Sequence, residues 1–234
     1  MEKGGEKMKG LVMAARFSLG CNEAALFPER GQALLRFLEN PQDITTIKQA
    51  EETLGQFKIL FPYLSLIGRI NGLEPFSQEV VEAYFIGNKL LRNVPIVETR
   101  RVVNQIYSQE VSLVPDFVPH HNWHLLTVLP QTQGMSIPLS LFNFCMVKLG
   151  KIQAIHQDKV TVRAWKLSVT KGKLNIGWID ESIPRDTILI DELELGDKVA
   201  IHWRYICEKL NSKQAQHLEE YTHRVLGYAK IRGE

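Results

Sequence analysis

Apolar positions recur at helical spacing through the first half of the chain and at alternating, strand-like spacing through much of the second. Residues 11–18 predict a short helix that stops near Gly20. Leu34, Leu35 and Leu38 lay an apolar stripe along a second helix, residues 29–39, which Asn40-Pro41 ends. Asp43 is placed to cap a segment in which Ile44, Ile47, Ala50, Leu54 and Phe57 keep the same period. Pro62 breaks or kinks its continuation to Ile70, and Asn71-Gly72 closes it. A broad apolar face predicts a central helix over residues 79–91, and Pro95 restarts another over residues 97–107. Phe57, Phe61, Tyr63, Tyr84 and Phe85 fall on these helices, and aromatic side chains so spaced are expected to bury area in a core rather than to cage a ligand.

From Val111 the pattern changes. Pro115, Pro119, Pro130 and Pro138 punctuate short apolar runs and argue against long helices, and residues 125–129 form the clearest strand among them. Alternation predicts further strands at residues 151–155, 160–165, 174–179, 188–190 and 199–205. Turns are expected at Gly150-Lys151, Gln157-Asp158, Lys171-Gly172 and Gly196-Asp197. Asn211-Ser212 can cap a last helix over residues 213–229. The expected fold class is α+β, with an all-helical domain over residues 1–110 and a small OB-like β-barrel with a C-terminal helix over residues 111–234.

Composition narrows the function classes. A chain of 234 residues with 44% hydrophobic and 23% charged residues is ordinary for a globular protein with a sizeable core. The net charge of +2 comes without a block of like charges, so nothing in it points to nucleic acid or to an anionic membrane surface. The apolar run at residues 11–15 is too short for a membrane span. Cys21, Cys145 and Cys207 form neither a CxxC pair nor an even disulfide framework, which fits a reducing compartment and predicts a cytoplasmic protein. Nucleotide-binding glycine loops, a serine-nucleophile elbow and the HExxH motif are all absent, so catalysis has no support.

One ordered set of short motifs stands out. Cys145 precedes Gly150-Lys151-Ile152. The strand Lys159-Val160-Thr161-Val162 follows, then Gly196-Asp197 leading to Val199, Ile201 and His202, then Ile206-Cys207-Glu208-Lys209-Leu210 and a terminal helix. In order and spacing this set, about residues 144–226, resembles the HypC/HupF family of hydrogenase assembly chaperones. The resemblance implies a small barrel closed by a C-terminal helix. It also implies a role in building the iron part of a nickel–iron hydrogenase centre, with the hydrogenase large subunit or a maturation scaffold protein as partner. It carries Cys145 over as the ligand of an iron that bears cyanide and carbon monoxide, and His202 as its support. A thiolate suits low-spin iron, and an imidazole beside it can ligate or hold the thiol deprotonated. The chain departs from that family in three ways: Cys145 lies mid-chain with no free amine beside its thiol, Leu149 stands where a proline is usual, and extra residues lengthen a hairpin around 170–182.

Two other readings follow from the residues. A cysteine inside the apolar run of residues 141–147 can be a buried, inert small hydrophobe, which leaves a barrel that only binds protein or nucleic acid. The third is a metalloprotein built on His120, His121 and His124. On a strand His120 and His124 stand roughly 13 Å apart, at about 3.3 Å per residue, so a shared ion needs a distant ligand such as Cys21. On a helical turn the two are neighbours.

Overall fold

The computed structural model describes residues 2–21, 27–132, 137–185, 190 and 192–229, with side chains from residue 5 onward. The first part is helical: α1 (Glu2–Ser18), α2 (Pro28–Glu39), α3 (Ile44–Gly55), α4 (Leu60–Asn71), α5 (Gln78–Phe85), a 3-10 turn (Lys89–Asn93) and α6 (Ile96–Tyr107). The local signals act as expected at several ends. The Asp43 side chain accepts from the Thr45 N–H to start α3, and Gly72 takes the left-handed conformation that ends α4. Two elements differ in extent. α1 begins far earlier than residue 11, and the helix expected to reach residue 91 stops at Phe85, where Gly87 adopts φ +96°. Gly10 sets the contact between α1 and α5, because a Cβ there would fall 2.1 Å from the Phe76 carbonyl oxygen.

The strand expected at residues 125–129 is helical. The segment 121–132, called α7 below, runs through an α turn (His121–Trp123), a π-helical turn (His124–Val128) and a final α turn (Leu129–Thr132). Trp123, Leu125, Leu126 and Val128 are all buried, and an element buried all round shows no amphipathic period to distinguish it from a strand. The widened turn immediately precedes Pro130, whose ring and missing N–H fit a regular helix poorly. A short helix, α8 (Leu139–Cys145), then leads into the sheet.

Strands β1 (Lys148–Ile155), β2 (Lys159–Thr170), β3 (Lys173–Pro184), β4 (Lys198–His202) and β5 (Tyr205–Leu210) form one antiparallel sheet in the order β3-β2-β1-β4-β5. Gly150-Lys151 is not a turn but lies within β1. The strand expected at 199–205 breaks at Trp203-Arg204, where both residues have positive φ and fold β4 back onto β5. Most of the strand expected at 188–190 lies outside the described residues. The sheet is not closed into a barrel: β3 and β5 approach each other, but no ladder joins them among the described residues. The strand lengths explain this, since β2 and β3 have 12 residues each and extend past β4 and β5, which have 5 and 6.

The sheet is buried on two faces. Ile152, Val160, Val162, Ala164, Ile183, Val199, Ile201 and Ile206 make a small core on its concave side. Ala200, Trp165, Leu167, Cys207 and Leu210 face the other way, into a large core that is continuous with α1 through α7 and with the last helix, α9 (Ser212–Leu226). One buried core therefore joins the helical part and the sheet. The architecture is α+β, and among the described residues no helix is long and apolar enough to cross a membrane.

Candidate metal centre

Strand alternation decides where His202 points. It lies two residues after Ala200, on the face that meets the helices, and only 2% of it is exposed. There its Nδ1 lies 2.7 Å from the backbone carbonyl oxygen of Phe17, near the end of α1. A carbonyl can only accept, so Nδ1 carries the proton and Nε2 keeps its lone pair. That Nε2 is buried and accepts no hydrogen bond among the described residues; the Cys145 carbonyl nearby is itself an acceptor and cannot donate to it. A backbone-anchored Nδ1–H with the other nitrogen free is the arrangement found behind metal-ligating histidines.

His121 comes to the same place from the start of α7. Three contacts hold that start. His120 Nδ1 accepts from the Asn122 N–H at 3.2 Å. The fully buried Asn122 side chain donates to the Val147 carbonyl (3.0 Å) and to Thr222 Oγ1 (2.8 Å), and it accepts from the Val147 N–H (2.9 Å). The Trp123 indole donates to the Tyr221 carbonyl at 2.8 Å. Asn122 thus ties α7 to β1 and α9 and fixes His121 against Cys145. His121 Nε2 lies 2.8 Å from the Cys145 carbonyl oxygen and 3.8 Å from its Sγ, while the Tyr84 hydroxyl stands 3.4 Å from Nδ1.

One donor atom from each of His121, Cys145 and His202 lies within 4.8 Å of the others. The His121 and His202 rings meet edge to face at 4.9 Å, walled by Phe85, Phe17 and Tyr84. Two aromatic residues expected as plain core, Tyr84 and Phe85, therefore also line this site. Trp203 covers it from the β4–β5 turn. Its backbone N–H donates to the Phe144 carbonyl at 2.9 Å, its ring stacks on the half-exposed Phe144, and its indole N–H, buried and without a hydrogen bond of its own among the described residues, lies near enough to Cys145 to favour the ionised thiol.

Burial keeps the whole cluster neutral. It lowers the His121 pKa to about 4, moves His202 well below the ordinary histidine value, and pushes the Cys145 thiol up to about 12, with the nearby Cys21 adding to that rise. His202 is ready to ligate through Nε2, whereas His121 Nε2 donates to the Cys145 carbonyl in the metal-free protein, so coordination there requires its proton to move to Nδ1, beside the Tyr84 hydroxyl. The thiol must give up its proton to a metal, which a cation's field makes possible. One soft sulfur and two borderline nitrogens without a carboxylate suit iron, zinc or a similar ion rather than magnesium or calcium. The unpartnered lone pair of His202 is the observation that fits a metal to this set.

The expected second cluster separates. His120 stacks on Tyr221, and burial lowers its pKa to about 3. His124 faces the other way, its two nitrogens each 2.8 Å from a tyrosine hydroxyl, Tyr63 and Tyr107, and its pKa is also lowered to about 3 by burial. Neither reaches His121's partners. Cys207 is fully buried in β5 against the Arg16 and Tyr205 carbonyls, with its pKa raised chiefly by burial. His121 is thus the member of the 120–124 run that joins Cys145 and His202, and Asn122, which positions it, has no local signal in the sequence.

Over residues 6–233 the chain matches the model of a family of unknown function, DUF6390, and it belongs to that family. No curated protein and no solved structure matches it.

Proposed function

We propose that this chain is an accessory protein for assembly of a nickel–iron hydrogenase metal centre, holding iron as its cargo between His121, Cys145 and His202. The observation that carries the metal half of this reading is the buried His202 Nε2, a lone pair with no hydrogen-bond partner, set beside a thiol and a second imidazole within 4.8 Å. The hydrogenase half rests on the resemblance of residues 144–226 to the HypC/HupF chaperones. In support, an antiparallel sheet followed by a terminal helix, α9, is the order of elements that the resemblance implies, although the sheet stays open between β3 and β5. The assignments differ from the carried-over pair by one residue: His121 from α7 takes a place beside Cys145, where the family has the free amine of a processed terminus.

The residues have separable roles. Cys145 supplies the anionic sulfur. The Phe17 carbonyl keeps His202 in the tautomer that presents Nε2, and the Asn122 contacts hold His121 against the sulfur. Phe17, Phe85 and Trp203 exclude water, which strengthens each charge interaction inside. Bound iron would supply the cargo for a hydrogenase large subunit or a scaffold protein in the cytoplasm.

The test pairs binding with maturation. Anaerobic addition of ferrous iron to the metal-free protein is expected to load about one ion per chain, and Cys145→Ala to weaken that loading by on the order of tenfold or more. In a cell that makes a nickel–iron hydrogenase, the same variant should lower the amount of processed enzyme. Equal maturation with and without the variant, and no iron on either protein, would sink the proposal.

A further inference from the structure

We propose that Cys21 is a fourth ligand to the ion held by His121, Cys145 and His202, so that the resting protein encloses a bare divalent ion between two thiolates and two imidazoles. The inference builds on the metal reading above.

Its first support is the path of the chain. α1 ends at Ser18, one residue after the carbonyl that anchors His202, and the turn that follows carries Cys21, whose N–H donates to the Ser18 carbonyl at 3.1 Å. That turn is pressed onto the residues covering the site. A Cβ on Gly20 would lie 2.7 Å from Trp203 Cβ and 2.9 Å from the Tyr205 ring, so only a glycine lets the turn come this close. Trp203 in turn faces the Cys145 thiol. Cys21 and Cys145 are both partly buried and both pack against the same core. The Cys21 sulfur lies outside the 4.8 Å group but close enough to bear electrostatically on Cys145.

The second support is charge. A divalent ion bound by one thiolate and two neutral imidazoles leaves a net charge of +1. Among the described residues the rings around it are Phe17, Phe85, Tyr84 and Trp203, none of which carries a compensating anion. An uncompensated charge in such a place costs several kcal/mol, on the order of the penalty for any buried ion. A second thiolate brings the sum to zero. The only thiol besides Cys145 at this end of the site is Cys21, since Cys207 is sealed in β5 against backbone carbonyls.

Cobalt(II), added anaerobically to the metal-free full-length protein, reports thiolate ligands through its sulfur-to-metal charge-transfer absorption, whose intensity follows the number of bound thiolates. Cys21→Ser is expected to reduce that intensity per ion by about half and to weaken zinc binding in a chelator competition by on the order of tenfold or more. Cys145→Ser should do the same, and the double variant should lose the absorption. In the unmutated protein, zinc should protect both Cys21 and Cys145 from alkylation, read by peptide mass spectrometry, which needs no variant to fold. Protection of Cys145 alone, with a Cys21→Ser spectrum equal to that of the unmutated protein, would overturn the fourth ligand and leave the three-residue site standing. No cobalt absorption in the unmutated protein would overturn both.

Discussion

Acidification of the metal-free protein tests whether the histidines at the junction of helices and sheet are buried as neutral rings. In the folded chain, burial lowers His120 to about 3, His121 to about 4 and His124 to about 3, and His202 moves the same way. In the unfolded chain each ring titrates near 6.5. The sign follows from which state binds more protons. Below about pH 6.5 the unfolded chain takes up protons that the folded one refuses, so the stability these rings contribute is complete above that pH and is lost as the pH falls toward the folded values. At pH 5 each such ring costs about 2 kcal/mol, from roughly 1.5 pH units at about 1.36 kcal/mol each. The three with assigned values then remove about 6 kcal/mol by that arithmetic, and His202 adds to the loss. Glu208 opposes it weakly. Burial raises its carboxyl, so the folded state recovers a proton there, but the Arg16 guanidinium at 3.4 Å limits that rise. Against a typical total of about 5–15 kcal/mol, a loss of this size brings the protein close to unfolding near pH 5. Urea unfolding followed by far-ultraviolet circular dichroism at pH 8, 6.5 and 5.5 measures it, with the midpoint falling steeply below pH 6.5 at constant slope. A midpoint that stays level from pH 8 to pH 5.5 would refute the burial argument for these rings.

Three further outcomes are expected. Asn122→Ala strips partners from the buried Val147 amide and carbonyl and from Thr222, and should lower stability by about 3–5 kcal/mol in urea while also weakening metal binding. Gly10→Ala drives a methyl group into the Phe76 carbonyl, and separating α1 from α5 should cost about 1–3 kcal/mol, read as a drop in thermal midpoint. In native metal-free protein at pH 8, alkylation should reach Cys207 only at the rate of global unfolding and Cys145 slowly, because burial raises both thiols.

Much of this structure could be read along the chain. The helices before Tyr107, the Asp43 and Asn211 caps and the β2–β3 hairpin all carry local signals, namely a 3.6-residue period, a side chain placed to bond the first turn, and Lys171-Gly172 between alternating strands. α7 could not be read so. Its apolar residues are buried on every side, and strand or helix there depends on packing that no window of sequence contains. The same holds at the site. Cys145 and His202 stand out in the sequence through an ordered resemblance, but His121 reads as one of a cluster with His120 and His124, its neighbours in the chain, whereas its partner is Cys145, 24 residues on. The two positive-φ residues at Trp203-Arg204 gave no warning either, since neither is a glycine or asparagine.

The bond from His202 to the Phe17 carbonyl spans 185 residues. A ribosome adding about 5–20 residues per second needs roughly 10–40 s to make that much chain. During that time α1 has been made while the histidine it will orient does not yet exist. The nascent chain therefore exposes Cys21, then His121, then Cys145, without the ring that completes the set, and it offers passing metal only a partial and weak hold. In the proposed site the ligand set is complete only once β4 has been made, so a fragment that ends before His202 is expected to bind metal more weakly than the full chain.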